Sequence, residues 1–399
     1  MTTSLLAPTT THAPYPKTPR QAEFIDLGAR MAEIASQNAR QHDRDGSFPS
    51  DTFLALRESG FLGLTLPLDE GGRGANPIET MLALEQLARG DGAVGLATTM
   101  HLVVIAGLAD NRLWPEALLE AFFEEVAGDG ALINGLASEP DLGSPSRGGL
   151  FATTAEAVDG GWKLNGRKTW STLSPELTYG IVSASVTQPD GTQVPGQFLV
   201  AMDSPGVRIE ETWDNLSMRG TGSHDVVLDN VVVPTERQLP KPVGRPGSAV
   251  NPWALLTSAV YLGIGTAARD FAVQFAKDRV PSGLGTPIAE LQTVQHRVAQ
   301  MDIQLLQART VLYQTVETYL DMPPDDRASM AWQFAAAKYT VTNNMITVTD
   351  QALRIVGSAG LQRKFPLERY FRDVRAGLGN PPMDDVALTL IGKFALDVS

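Results

Sequence analysis

Apolar side chains recur at helical spacing through the first third of the chain. Phe24, Leu27, Met31 and Ile34 fall on one face, the mark of an amphipathic helix. Asn76-Pro77-Ile78-Glu79 reads as a helix start, with Asn as N-cap, Pro at the first position and Glu closing a capping box. Met81, Leu82, Leu84 and Leu87 follow as its apolar side. Val94–Leu108 is apolar nearly throughout, which predicts a helix buried on most of its faces. Leu113–Val126 reads as an acidic amphipathic helix.

At Ala131 the period changes. Leu132–Ser138 and Trp162–Trp170 read as strands flanking a Pro/Gly/Ser turn over Glu139–Gly149, and Asn165-Gly166 inside the second predicts a tight hairpin. Phe198–Met202, Val207–Ile209 and Asp225–Val233 also read as strands. A Pro/Gly-rich connector, Pro240–Ser248, closes this segment. Beyond it the pattern predicts helices from Asn251-Pro252 to Val280, from Pro287 to about Met322, and over Arg327–Val356. Long helices joined by short Pro/Gly turns predict a bundle. The expected organisation is a disordered tail over 1–19, a helical domain over 20–130, a β domain over 131–245 and a helix bundle over 246–399.

Composition narrows the chemistry. A hydrophobic content of 43% with 19% charged residues fits a folded protein. The net charge of −13 argues against non-specific nucleic-acid binding. With no cysteine, thiolate nucleophiles and Cys-ligated metals are excluded, and the five histidines lack metal-ligand spacing, so no metal is expected. The N-terminal stretch has no signal-peptide pattern and no run reaches a membrane span, so a cytoplasmic location is expected.

Two short motifs attract attention. Gly143-Ser144 offers backbone N–H groups that an anion or ring can approach closely, and Trp170 sets a flat apolar face beside the hydroxyls of Ser171 and Thr172. Gly263-Ile264-Gly265-Thr266-Ala267-Ala268 matches a dinucleotide fingerprint, but its flanks are helical. Close helix packing explains these glycines better than a Rossmann turn.

Six segments in order resemble the acyl-CoA dehydrogenase superfamily over roughly residues 20–395. They are Ala137–Ser144, Leu164–Trp170, Met218–Asp225 leading to Val231–Pro234, Pro287–Gln292, Gly357–Gly360, and Pro366–Arg369 followed by Arg372-Asp373. The resemblance implies a mainly α fold with a central β-barrel, between an N-terminal helical domain and a C-terminal four-helix bundle. It implies FAD, an acyl-CoA substrate, and a homotetramer or homodimer with FAD contacts across the interface. By position, Leu136 and Ser138 would contact the isoalloxazine, Gly143 and Ser144 would lie beside flavin and substrate, and Trp170, Ser171 and Thr172 would pack on the ring near N5. Arg279, Gln292, Arg354 and Gly357 would reach a neighbour's FAD. Here Arg279 opens a segment two residues longer than usual and without its Phe, and Arg354 stands where Gln is usual.

The family reaction removes an α-proton from an acyl thioester while flavin N5 takes a hydride from the β-carbon, which requires a carboxylate base. By the resemblance, the position of that base falls at or near Pro381 and the family's alternative position falls near Trp253, and neither side chain can take a proton. Asp384 or Asp385 would have to substitute, although both read equally as first-turn acids of a terminal helix. The leading expectation is an FAD-dependent dehydrogenase of CH–CH bonds. The alternative is a flavin monooxygenase working through a C4a-hydroperoxide, with His101 facing its pocket. A non-catalytic flavoprotein subunit is the third reading.

Overall fold

The computed structural model describes residues 15–141, 150–188, 190–240 and 250–398. The chain runs from helices through one sheet and back to helices. The first group is α1 (Pro19–Asp45), α2 (Ser50–Glu58), α3 (Pro77–Gly90), α4 (Gly92–Asn111) and α5 (Glu116–Asp129). The capping box forms as expected: Asn76 Oδ1 accepts from the Glu79 N–H at 3.0 Å, and Glu79 Oε2 accepts from the Asn76 N–H at 3.0 Å. Residues 15–18, expected in a disordered tail, are instead docked. The Tyr15 ring packs 4.7 Å from that of Tyr313, and both the Tyr15 hydroxyl and the Lys17 ammonium reach Glu317. A buried aromatic anchor offsets the entropy of ordering this segment.

Helix α4 is long and apolar enough to cross a membrane by length and composition, yet 72% of its most apolar stretch is buried inside the protein. It is a core helix. Its N-cap Asp91 accepts from the Ala93 N–H at 2.8 Å, a cap that lets α4 turn sharply off α3.

The sheet contains β1 (Ile133–Leu136), β2 (Thr154–Val158), β3 (Gly161–Lys168), β4 (Tyr179–Thr187), β5 (Gln193–Ala201), β6 (Val207–Glu210), β7 (Asp225–Pro234) and β8 (Gln238–Leu239). The order is β6-β7-β3-β2-β4-β5-β8, with β1 parallel to β4 off that path. Among the described residues β6 and β8 do not pair, so the sheet is open. This corrects the barrel expected from the family resemblance. The hairpin expected at Asn165-Gly166 is also absent. β3 continues through it with a bulge against β7, and a Cβ on Gly166 would lie 2.4 Å from Thr153 Oγ1. The glycine marks close backbone approach. The β2–β3 turn falls instead at Gly160, whose φ is +74°.

The last group is α6 (Leu256–Asp278), α7 (Gln292–Asp321), α8 (Ala331–Val356), α9 (Leu367–Asp373) and α10 (Asp384–Leu396). α7 starts five residues later than its sequence pattern suggested, because a 3-10 turn over Ile288–Glu290 precedes it. α6 is helical throughout the G-x-G-x-x-A motif. A Cβ on Gly263 would sit 2.2 Å from the Glu85 carbonyl oxygen of α3, and one on Gly265 would sit 2.2 Å from Met345 Sδ of α8. The glycines let three helices meet.

A partly buried charge cluster joins all three parts of the chain. Arg372 of α9 grips Asp43 of α1 with two bonds of 2.9 and 2.7 Å and donates to the Leu216 carbonyl at 2.8 Å. Asp373 accepts from the Met218 N–H at 2.7 Å.

Candidate functional site

β1 places Gly135 on the open side of the sheet and Leu136 on the core side, as strand alternation requires. Gly135 is exposed, and a Cβ there would meet no atom within 4 Å. Leu136 is turned inward against Gly180. Its side chain therefore belongs to the sheet core, contrary to the ring-contact role expected for it. Ser138 stays half-buried, and its carbonyl accepts from the Thr169 N–H at 2.9 Å. Buried Glu139 accepts from Lys168 Nζ at 2.6 Å and from the Ala152 and Thr153 N–H groups at 2.6 and 2.9 Å, which clamps the chain after β1 onto β3. Gly143 and Ser144 lie outside the described residues.

The loop after β3 brings three expected residues to this open edge. Trp170 has φ +56° and is 63% exposed, its ring edge-on to Trp213 at 5.0 Å. Ser171 is buried, and its Oγ has no hydrogen-bond partner. Thr172 is half-buried. Its carbonyl accepts from Asn134 Nδ2 at 3.0 Å, and its hydroxyl meets Ser223 Oγ at 2.8 Å. Buried Asn134 of β1 was not singled out in the sequence, although an amide inside an otherwise apolar strand is such a signal. The loop over 171–174 is sewn to residues 221–224 by three backbone bonds: Ser171 N–H to the His224 carbonyl, Leu173 N–H to Thr221, and Ser174 N–H to Gly222.

α4 supplies the opposite wall. Gly92 on one side of the helix meets Ile264 of α6, while His101 on another holds β1. Between these directions Met100, Val103, Val104 and Gly107 form a half-buried stripe at helical spacing, and Gly107 has no atom within 4 Å of a Cβ position. The result is a mainly apolar, half-buried face of α4 beside the helix side that holds β1. Near the C-terminal end of α4, buried Trp253 donates its indole N–H to Asp110 Oδ2 at 2.6 Å.

His101 does not face this apolar stripe. Its Nδ1 accepts from the Ile133 N–H at 3.2 Å, so Nε2 carries the proton and donates to the Leu62 carbonyl at 3.0 Å. Burial pushes its pKa down to about 4, against the partial support of these backbone bonds. The imidazole is a satisfied, neutral core group. Asp384 and Asp385 stand in the first turn of α10, with Asp384 Oδ2 accepting from Asn343 Nδ2 of α8 at 3.2 Å. Asp384 is thus engaged with the bundle through Oδ2, while its buried Oδ1 has no hydrogen-bond partner; Pro381, at or near the position expected for the base, offers no proton-accepting side chain.

The remaining expected residues gather elsewhere. Arg279 ends α6, Gln292 begins α7, and Arg354 and Gly357 end α8. Arg297 Nη1 donates to Gln351 Oε1 at 2.7 Å, which fixes the α7 start beside the α8 end. All four residues are exposed, and Gly357 has φ +66°. They make one polar end of the bundle, separate from the Trp170 loop in sequence.

Three acyl-CoA dehydrogenase models match the chain in order: the N-terminal domain over 18–111, the middle domain over 135–231 and the C-terminal domain over 247–378. The chain is 42% identical over 378 residues to YdbM of Bacillus subtilis, which bears a provisional acyl-CoA dehydrogenase name; the match covers 95% of this chain and 98% of that one. The chain belongs to the acyl-CoA dehydrogenase family. Within the family it is also 31% identical to the amino sugar nitrososynthase DnmZ of Streptomyces peucetius, covering 91% of this chain and 90% of DnmZ. Among solved structures, KijD3 in complex with FMN and dTDP-3-amino-2,3,6-trideoxy-4-keto-3-methyl-D-glucose superposes with a TM-score of 0.84 at 28% identity, covering 96% of this chain and 95% of that one.

Proposed function

We propose that the chain is a flavin-dependent oxidoreductase of the monooxygenase-like branch of its family. Support for the flavin comes from the loop after β3. An orphaned buried hydroxyl (Ser171), a half-buried one (Thr172), an exposed indole (Trp170) and the open space beside Gly135 fit a planar ring with a hydrogen-bonding edge. Bound there, a flavin supplies two-electron transfer at N5 and, when reduced, reaction with dioxygen. The chain's own work is to hold the ring against Trp170 and the β1 backbone, to offer hydroxyls to its edge, and to keep water out with the apolar stripe of α4. Arg279, Gln292, Arg354 and Gly357 would hold the diphosphate and adenosine of FAD from a second copy, which makes the working form a homo-oligomer. A guanidinium at Arg354 suits a diphosphate as well as the usual Gln does.

The observation that carries the reaction class is the pair Pro381 and Trp253. Neither side chain takes up a proton, and the Trp253 indole N–H is spent on Asp110. The substrate is then oxidised without removal of an α-proton, a reading that the likeness to an amino sugar nitrososynthase supports. The similarity to YdbM favours a second reading, α,β-dehydrogenation of an acyl thioester. Anaerobic mixing of the flavin-loaded protein with a chain-length series of acyl-CoAs separates the two. An unbleached spectrum is expected; bleaching would transfer the conclusion to the second reading.

A further inference from the structure

Trp170 sits in a backbone conformation that a bulky residue rarely adopts, with φ +56°. Such a residue keeps its place only where its neighbours over-determine it. Two of those restraints trace back to His224. Its backbone carbonyl accepts from the Ser171 N–H at 3.2 Å, next to Trp170. Its ring Nδ1 accepts from the Trp213 N–H at 3.1 Å. Trp213 in turn sets its ring edge-on to Trp170 at 5.0 Å and donates its indole N–H to the Met218 carbonyl at 3.0 Å. His224 thus holds both members of the aromatic pair, one through its main chain and one through its imidazole.

The second bond depends on charge. A backbone N–H only donates, so Nδ1 accepts from Trp213 only in the neutral ring, where Nε2 carries the proton. On protonation Nδ1 gains a hydrogen that faces the Trp213 N–H, and a bond becomes an opposition of two donors. We propose that His224 is a titratable latch on the Trp170–Trp213 pair, closed when the imidazole is neutral and open when it is charged. Opening frees the Trp213 backbone but leaves its segment attached, through the indole bond to Met218 and through Thr212 Oγ1, which accepts from the Asp225 N–H at 3.1 Å.

The charged groups around His224 come from three elements. Glu211 after β6 and Asp225 at the start of β7 both favour the protonated ring. Asp225 is itself held by Arg167 of β3 at 2.8 Å, and the same guanidinium pairs with Glu210. Arg219 of the 218–223 turn is engaged by Asp214 at 2.9 Å and by the Asp43 carbonyl at 2.7 Å. Residues 169–174 carry no titratable side chain. Burial outweighs the two carboxylates and pushes the His224 pKa down. The latch is therefore closed at neutral pH, and it opens as the pH falls below about 6.5, the ordinary histidine value.

The test reads the indoles of the full chain by near-ultraviolet circular dichroism against pH, and the part due to this pair is what disappears on adding Trp213→Phe. In wild type that part should fall as a one-proton titration with its midpoint below about 6.5, while a constant far-ultraviolet spectrum shows that the helices and sheet are intact. His224→Asn places a non-titrating amide oxygen near the Nδ1 position, so its signal should resemble the neutral form and not follow pH. His224→Leu removes the acceptor and should show the acid-form signal at every pH. A wild-type signal that does not titrate, or the same titration in His224→Asn, would overturn the latch. The consequence for the cofactor rests on the flavin reading above. Flavin affinity should weaken with the same midpoint in wild type, by up to about tenfold for one lost hydrogen bond, and stay level in His224→Asn. A protein that takes up no flavin at any pH would overturn the cofactor reading, while the indole signal would still decide the latch.

Discussion

His101 and Asp373 illustrate how far single side chains can be read before a fold is known. His101 sits in an apolar run, and the sequence shows only a lone imidazole on a buried helix. Its partners come from Leu62 and Ile133, 39 and 32 residues away, which no local pattern reveals. Replacing His101 by Phe leaves one backbone acceptor and one donor buried without partners, each costing about 1–3 kcal/mol. A loss of about 2–4 kcal/mol in urea unfolding is expected; a loss below about 0.5 kcal/mol would contradict this role. Asp373 tests the charge cluster. Burial raises its carboxyl to about 7, opposed by the Met218 N–H and Arg369. The folded state thus holds a proton that the unfolded state releases near pH 4. Its contribution is fully present below that pH and is lost as the pH rises to about 7. Asp373→Asn removes this titration. Relative to wild type, the variant should gain stability as pH rises from 4 to 7, and parallel curves would exclude the shift.

Among elements, the long amphipathic and apolar helices were legible because burial imposes their period. The start of α3 could be assigned to the residue, since its capping box is purely local. Strands fared less well. β4 is buried along most of its length and mixes Ser and Ala with Val, so no alternation marks it. Asn165-Gly166 carries a hairpin signal but sits mid-strand, because Gly is needed where Thr153 crosses. The dinucleotide-like motif in α6 resolves as packing, and the two effects of adding a methyl there oppose each other. Gly263→Ala favours the isolated helix by about 1 kcal/mol. A Cβ placed against the Glu85 backbone oxygen costs more, because backbone cannot swing aside. A net loss of about 2 kcal/mol in thermal or urea unfolding is expected, whereas a net gain would mean that α3 and α6 are less tightly joined than their geometry indicates.

At the scale of the whole molecule, the order of helices, sheet and helices was legible, but the long-range contacts around the candidate site were not. β1 is held by His101 of α4, the Trp170 loop by Asn134 and the 221–224 segment, and Trp253 by Asp110. The family motifs pointed to Trp170, Ser171 and Thr172 by resemblance and included the Met218–Asp225 segment; that Asn134, Thr221 and Ser223 bond to that loop emerges from hydrogen bonds across the fold. The open sheet is likewise a property of strand order, invisible to local pattern. What the resemblance could not supply is the base, and Pro381 with the Trp253–Asp110 pair makes that absence concrete. The most direct measurement is therefore an anaerobic titration of the flavin-loaded protein with acyl-CoAs, followed by absorbance. A bound flavin whose oxidised spectrum persists at every chain length is expected. Bleaching by any acyl-CoA would contradict the proposed reaction class, and failure to take up flavin would contradict the cofactor itself.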